Sequence, residues 1–114
     1  MSLTGKTYNP LLSLTIKAQS DLPHSRFIGF DGNPCAEGAP ALGVTEIAWN
    51  SGQYAQVIAV GTAVVEASGT IVAGDSITSD TNGTARKAVT DDAVNGRAIN
   101  AAESGGFVTI KLLS

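Results

Sequence analysis

The chain has 114 residues, enough for one domain with a core of its own, because a globule of this length buries roughly two-thirds of the surface its unfolded chain exposes. Charged residues make up 15% of it, against an ordinary ~25%, and its seven Lys and Arg are scattered, Arg86-Lys87 being the one adjacent pair, in a chain of net charge −3. That pattern argues against nucleic acid or an anionic membrane as partner, and a lone cysteine excludes an intramolecular disulfide or a multi-cysteine zinc site.

Residues 1–10, Met-Ser-Leu-Thr-Gly-Lys-Thr-Tyr-Asn-Pro, have no hydrophobic periodicity and read as an N-terminal arm before a β domain over 11–114. They also lack the charged-then-apolar design of a signal peptide, which predicts synthesis in a reducing cytoplasm. Leu12, Leu14 and Ile16 then alternate with Ser13, Thr15 and Lys17, the period of a half-buried strand. Further strands are expected at 26–30, 43–48, 54–60, 62–67, 76–79, 97–101 and 107–113. Glycine-bearing turns separate them at Asp31-Gly32-Asn33-Pro34, Ser51-Gly52, Ser68-Gly69, Ala73-Gly74-Asp75, Asn82-Gly83 and Ser104-Gly105. The longest wholly apolar run, Val57-Ile58-Ala59-Val60, is far below the ~20 residues of a membrane span. The one candidate helical turn is Thr90-Asp-Asp-Ala-Val-Asn-Gly96, with Thr90 as N-cap and Gly96 as terminator.

The segment Gly43–Val60 aligns on Gly96–Leu113 without a gap. Gly43 meets Gly96, Ala48 meets Ala101, Ser51-Gly52 meets Ser104-Gly105, Tyr54 meets Phe107 and Val57 meets Ile110. The expectation is two similar β-units, about 11–60 and 61–113, sharing one core in an all-β barrel or sandwich with at most one or two short helical turns. Core positions should include Leu14, Ile16, Phe27, Val57, Val60, Val64, Ile71, Ile77, Ile99, Val108, Ile110 and Leu112.

No chemistry emerges from the side chains. Cys35 has only His24 as a possible base and no orienting third group, so a structural thiol and an ordinary loop histidine are expected. Asp75, Asp80, Asp91 and Asp92 lack calcium-loop spacing and suit turns and caps. Phosphate-cradling glycine motifs are absent, and no catalytic, cofactor or metal site is expected. Trp49 and Tyr54 flank the Ser51-Gly52 turn, either as a contact hot spot or as a lid on the core.

The stretch Gly61-Thr-Ala-Val-Val-Glu-Ala-Ser-Gly-Thr-Ile-Val-Ala-Gly-Asp-Ser-Ile-Thr-Ser-Asp-Thr-Asn-Gly-Thr-Ala85 is more specific, and so is its continuation Asn95-Gly-Arg-Ala-Ile-Asn-Ala-Ala-Glu-Ser-Gly-Gly-Phe-Val-Thr-Ile-Lys-Leu112. It resembles the capsid decoration (cement) proteins of tailed bacteriophages over about residues 43–113. The resemblance implies a non-enzymatic protein on the outer surface of the assembled head, bound to the major capsid protein, often as a homotrimer. It implies no catalytic motif. Leu3, Tyr8, Pro10, Trp49 and Tyr54 are the candidate capsid or subunit contacts. The competing reading is a tail or fibre adaptor, or a receptor-binding β module.

Overall fold

The computed structural model describes residues 10–112. The strands in chain order are β1 (Pro10–Lys17), β2 (Phe27–Gly29), β3 (Ala41–Thr45), β4 (Tyr54–Glu66), β5 (Ser76–Ser79), β6 (Ala85–Lys87), β7 (Gly96–Ala98) and β8 (Phe107–Leu112). They form one antiparallel, nearly closed, barrel-shaped sheet in the order β2-β3-β4-β8-β7-β5-β6, with β1 added against β4. The all-β expectation is met.

β4 organises the sheet. Its first part pairs with both β1 and β3, and from Thr62 onward it pairs with β8. The expected strands 54–60 and 62–67 are therefore one strand. Gly61 carries the bend between them at φ 109°, a conformation open to glycine and costly for any residue with a Cβ.

Hydrogen bonds of the first half recur in the second. Val44↔Ile58 and Thr45↔Val57 join β3 to β4, and Arg97↔Lys111 and Ala98↔Ile110 join β7 to β8 in the same register. Lys17↔Tyr54 and Glu66↔Phe107 are corresponding pairs in the same way. Leu22 and Trp49 exchange both main-chain bonds at 2.8 and 2.9 Å, as Ile71 and Ala102 do at 2.8 and 3.0 Å. At the turns, Gly52 (φ 90°) donates to the Ala18 carbonyl and Gly105 (φ 87°) to that of Ala67.

The buried side chains form two clusters. Ala18, Leu22, Ile28, Ala55 and Val57 fill the inside of the first half, flanked by half-buried Ile16, Leu42 and Trp49. The larger cluster joins Ala63, Val65, Ile71, Ile77, Val108, Ile110 and Leu112 of the second half to Phe27, Cys35, Val44 and Ile58 of the first. Phe27, Val44 and Ile58 lie on the opposite side of their strands from Ile28 and Val57, since side chains alternate along a strand. β2, β3 and the first part of β4 thus bury side chains on both their faces.

Several core expectations fail. Leu14 is 38% and Ile99 51% exposed, and Ile16, Val60 and Val64 are half-buried. Leu14 belongs to β1, which has one partner strand, β4, among the described residues. Ile99 lies just past β7, where the strand has ended. The expected helical turn at 90–96 is a non-helical turn with Asp91 at φ 74°; a 3-10 turn lies instead at Thr81–Gly83. β6 was not anticipated, and the strand expected at 97–101 is reduced to β7.

Candidate interaction surfaces

β1 runs along β4 for its whole length, from Pro10↔Gly61 to Lys17↔Tyr54, and no other described strand pairs with it. Leu12 (50%) and Leu14 (38%) stand exposed there. The corresponding segment of the second half is the end of β4, where Ala63 and Val65, the counterparts of Leu14 and half-buried Ile16, have no exposed surface. There the Glu66 N–H also donates to the Ser25 carbonyl at 2.9 Å. One strand position is therefore covered in the second half and open in the first.

The two aromatic candidates separate. Tyr54 opens β4 and is 67% exposed, so its ring is free for contact. Trp49 is half-buried against the first-half cluster, closer to a lid than to a surface anchor, and its indole Nε1 is shielded from solvent without a hydrogen-bond partner. Phe107, the counterpart of Tyr54, is 48% exposed and stacks on His24 with ring centroids 6.2 Å apart. That pairing of a loop histidine with a strand-opening aromatic is invisible in the sequence, where the two are far apart. Leu3 and Tyr8 lie outside the described residues, and Pro10 is described in its main chain only.

A clasp holds the Pro34–Ala41 connection of the first half onto the second. The Arg86 guanidinium lies 2.9 Å from Asp92, 3.6 Å from Glu37 and 3.7 Å from Asp80. Beside it, the Gly38 N–H donates to the Ser79 carbonyl, and the Gly38 carbonyl accepts from Ala93 N–H. Asn95 adds its side chain, accepting from Ala41 N–H at 3.0 Å and donating to the Ala39 carbonyl at 3.0 Å. The Ser68 hydroxyl, donating at 2.6 Å, holds the Asp80 carboxyl below its usual range, with the Thr81 N–H and Arg86 helping. Arg86 and the Val89 N–H do the same for Asp92, and Asp92 in turn raises Arg86. Asp80 and Asp92 thus fasten turns, as the sequence suggested for them, while Arg86 as their common partner was missed.

Burial pushes the Cys35 thiol up, and Sγ sits 3.4 Å from the Ala39 carbonyl, so it is not primed as a thiolate. At the seam of the halves, Ser25, Thr45, Glu46, Ile58 and Val64 line a cavity of about 50 Å³, far below the ~300 Å³ of a small-molecule pocket. Among the described residues no group of three or more His, Cys, Asp or Glu is placed to hold a metal ion. Among the described residues the geometry is that of a β scaffold with an exposed strand and exposed aromatics.

Comparison with known proteins gives that class its family. The phage cement protein family model matches residues 6–112, and the chain belongs to that family. It is a structural, capsid-associated bacteriophage protein, and a structural family fits a non-enzymatic role. Among solved structures it is similar to the N base of the head fiber protein gp8.5 of bacteriophage phi29, with a TM-score of 0.74 and 26% identity, covering 90% of this chain and 93% of that one. No curated protein sequence matches the chain.

Proposed function

We propose that this protein decorates the outside of the assembled phage head, bound to the major capsid protein as a homotrimer, and stabilises the shell. The observation that carries the reading is the cement-family match over residues 6–112, on a fold shared with the base of a head fiber. Physical considerations support it. A shell presents the same pocket many times where coat subunits meet, and a plug touching several subunits gains avidity from contacts that are each modest. A surface with 15% charged residues and many small side chains loses little side-chain entropy on docking. Tyr54 is the stronger aromatic candidate contact in the described residues, with Trp49 behind it as a lid, and Leu3, Tyr8 and Pro10 are the candidates in and beside the arm.

A second reading draws on the phi29 neighbour, the N base of a head fiber. In that reading the chain seats a further appendage on the head as well as sealing it. Deleting the gene and imaging purified heads by electron microscopy tests both. Loss of regularly placed density from the shell, with heads that burst at lower temperature, supports decoration. Loss of a projecting fiber with unchanged shell stability supports the base. Heads identical in both respects contradict both.

A further inference from the structure

We infer that the open side of β1 is a docking edge for residues 1–9 of a second copy of this chain, laid down as an added strand. The starting observation is the asymmetry between the halves. In the second half the end of β4 has Ala63 and Val65 sealed, and its Glu66 N–H is bonded to the Ser25 carbonyl of the first half. The matching strand of the first half, β1, has no second strand beside it among the described residues; Gly32 closes only its far end, its carbonyl accepting from Gln19 N–H just past Lys17, and Leu12 and Leu14 are exposed. The unpaired edge upstream of Lys17, flanked by leucines, is a template for strand addition.

Three occupants can be compared on chemistry. A whole second copy stacked as the first half stacks on the second would present the outer side of its second half. There Ser76, Arg97 and Lys111 stand where the first half has buried Phe27, Val44 and Ile58. That side offers cations and a hydroxyl to a row of leucines, and it does not fit. The chain's own arm meets a different obstacle. Pro10 already pairs with Gly61 as the first residue of β1, so a hairpin back onto β1 must turn at Tyr8-Asn9 or earlier. A two-residue turn there needs the Pro10 N–H to close it, and proline has none. An earlier turn leaves too few residues to cover the strand. The arm of another copy meets neither obstacle. Nine extended residues reach roughly 30 Å at about 3.3 Å each, enough for the eight residues of β1. Its only charged side chain is Lys6, so it brings no acid–base mismatch to the leucines.

Amide hydrogen exchange on the isolated protein tests this without phage heads, so its outcome is separate from that of head binding. The full chain and a chain lacking residues 2–9 are compared at high and low concentration. A cysteine pair, Thr4→Cys with Thr15→Cys, is oxidised in a mixture of tagged and untagged chains. The expected result is exchange at residues 12–16 at least tenfold slower in the full chain, protection lost on dilution, and tagged chains cross-linked to untagged ones. Cross-links confined to single chains would overturn the proposal in favour of a folded-back arm. Equal exchange in the two chains would also overturn it, leaving the edge to a strand of another protein.

Discussion

Gly43 and Gly96 hold the same close approach in the two halves. A Cβ built on Gly43 would stand 2.5 Å from the Ile58 carbonyl oxygen, and one on Gly96 2.7 Å from that of Lys111. Both are buried, and in each case the obstructing carbonyl is main chain of the neighbouring strand, which cannot swing aside as a flexible side chain would. Gly43→Ala and Gly96→Ala should each destabilise by about 1–3 kcal/mol, the usual cost of overpacking. Gly69→Ala, with nothing within 4 Å of its added methyl, is the control and should stay within about 0.5 kcal/mol. Urea midpoints of the three variants check this, and equal midpoints would contradict the close approach.

Ile110 is fully buried, paired across β8 to Ala63 and Ala98. Ile110→Ala should cost about 2–5 kcal/mol in the same measurement. Ile99→Ala should cost less than about 0.5 kcal/mol, because Ile99 is 51% exposed. A large loss at Ile99 with none at Ile110 would place the wrong face inward.

The Arg86 clasp makes stability depend on pH. The folded Asp80 and Asp92 have lowered pKa values, so their contribution is complete above the unfolded carboxylate range, near 3.9, and is lost as pH falls below it toward their folded values. Stability should hold between pH 7 and about pH 5 and fall below about pH 4. The double variant Asp80→Asn, Asp92→Asn should be less stable at pH 7 and show a shallower acid decline. An unchanged acid slope would mean that other carboxylates control it.

Cys35→Ser and His24→Ala should both retain head binding. Cys35 is buried and bonded to main-chain carbonyls, so its substitution perturbs packing alone, and His24 meets Phe107 at an exposed stack. Loss of binding on His24→Ala with an unchanged melting temperature would move the His24–Phe107 stack into the contact surface.

The sequence made some of this legible and concealed the rest for physical reasons. Alternation and turn chemistry located β1, β5 and β8, and the pairing of Gly43 with Gly96 was readable because only glycine satisfies both places. Alternation also put Leu14 in the core, since a period of two reports which face a side chain takes and not whether that face is covered. The strands expected at 54–60 and 62–67, with Gly61 between them, are one strand, because glycine lets a strand kink without ending it. The acids at Asp91-Asp92 suggested a helix start, but Asp92 accepts from Val89 N–H and Arg86, and that bond competes with helical hydrogen bonding. Arg86 gathers carboxylates from separate segments, and a contact of that kind has no local signature.

The central claim is attachment to the head, and a titration of the labelled protein onto purified heads of the phage that encodes it tests this most directly. Mature expanded heads, unexpanded precursor shells and isolated tails are compared. The account predicts saturable binding to expanded heads, in multiples of three copies per site, at least tenfold weaker binding to precursor shells (about 1.4 kcal/mol) and none to tails. Binding to tails with none to expanded heads would contradict it.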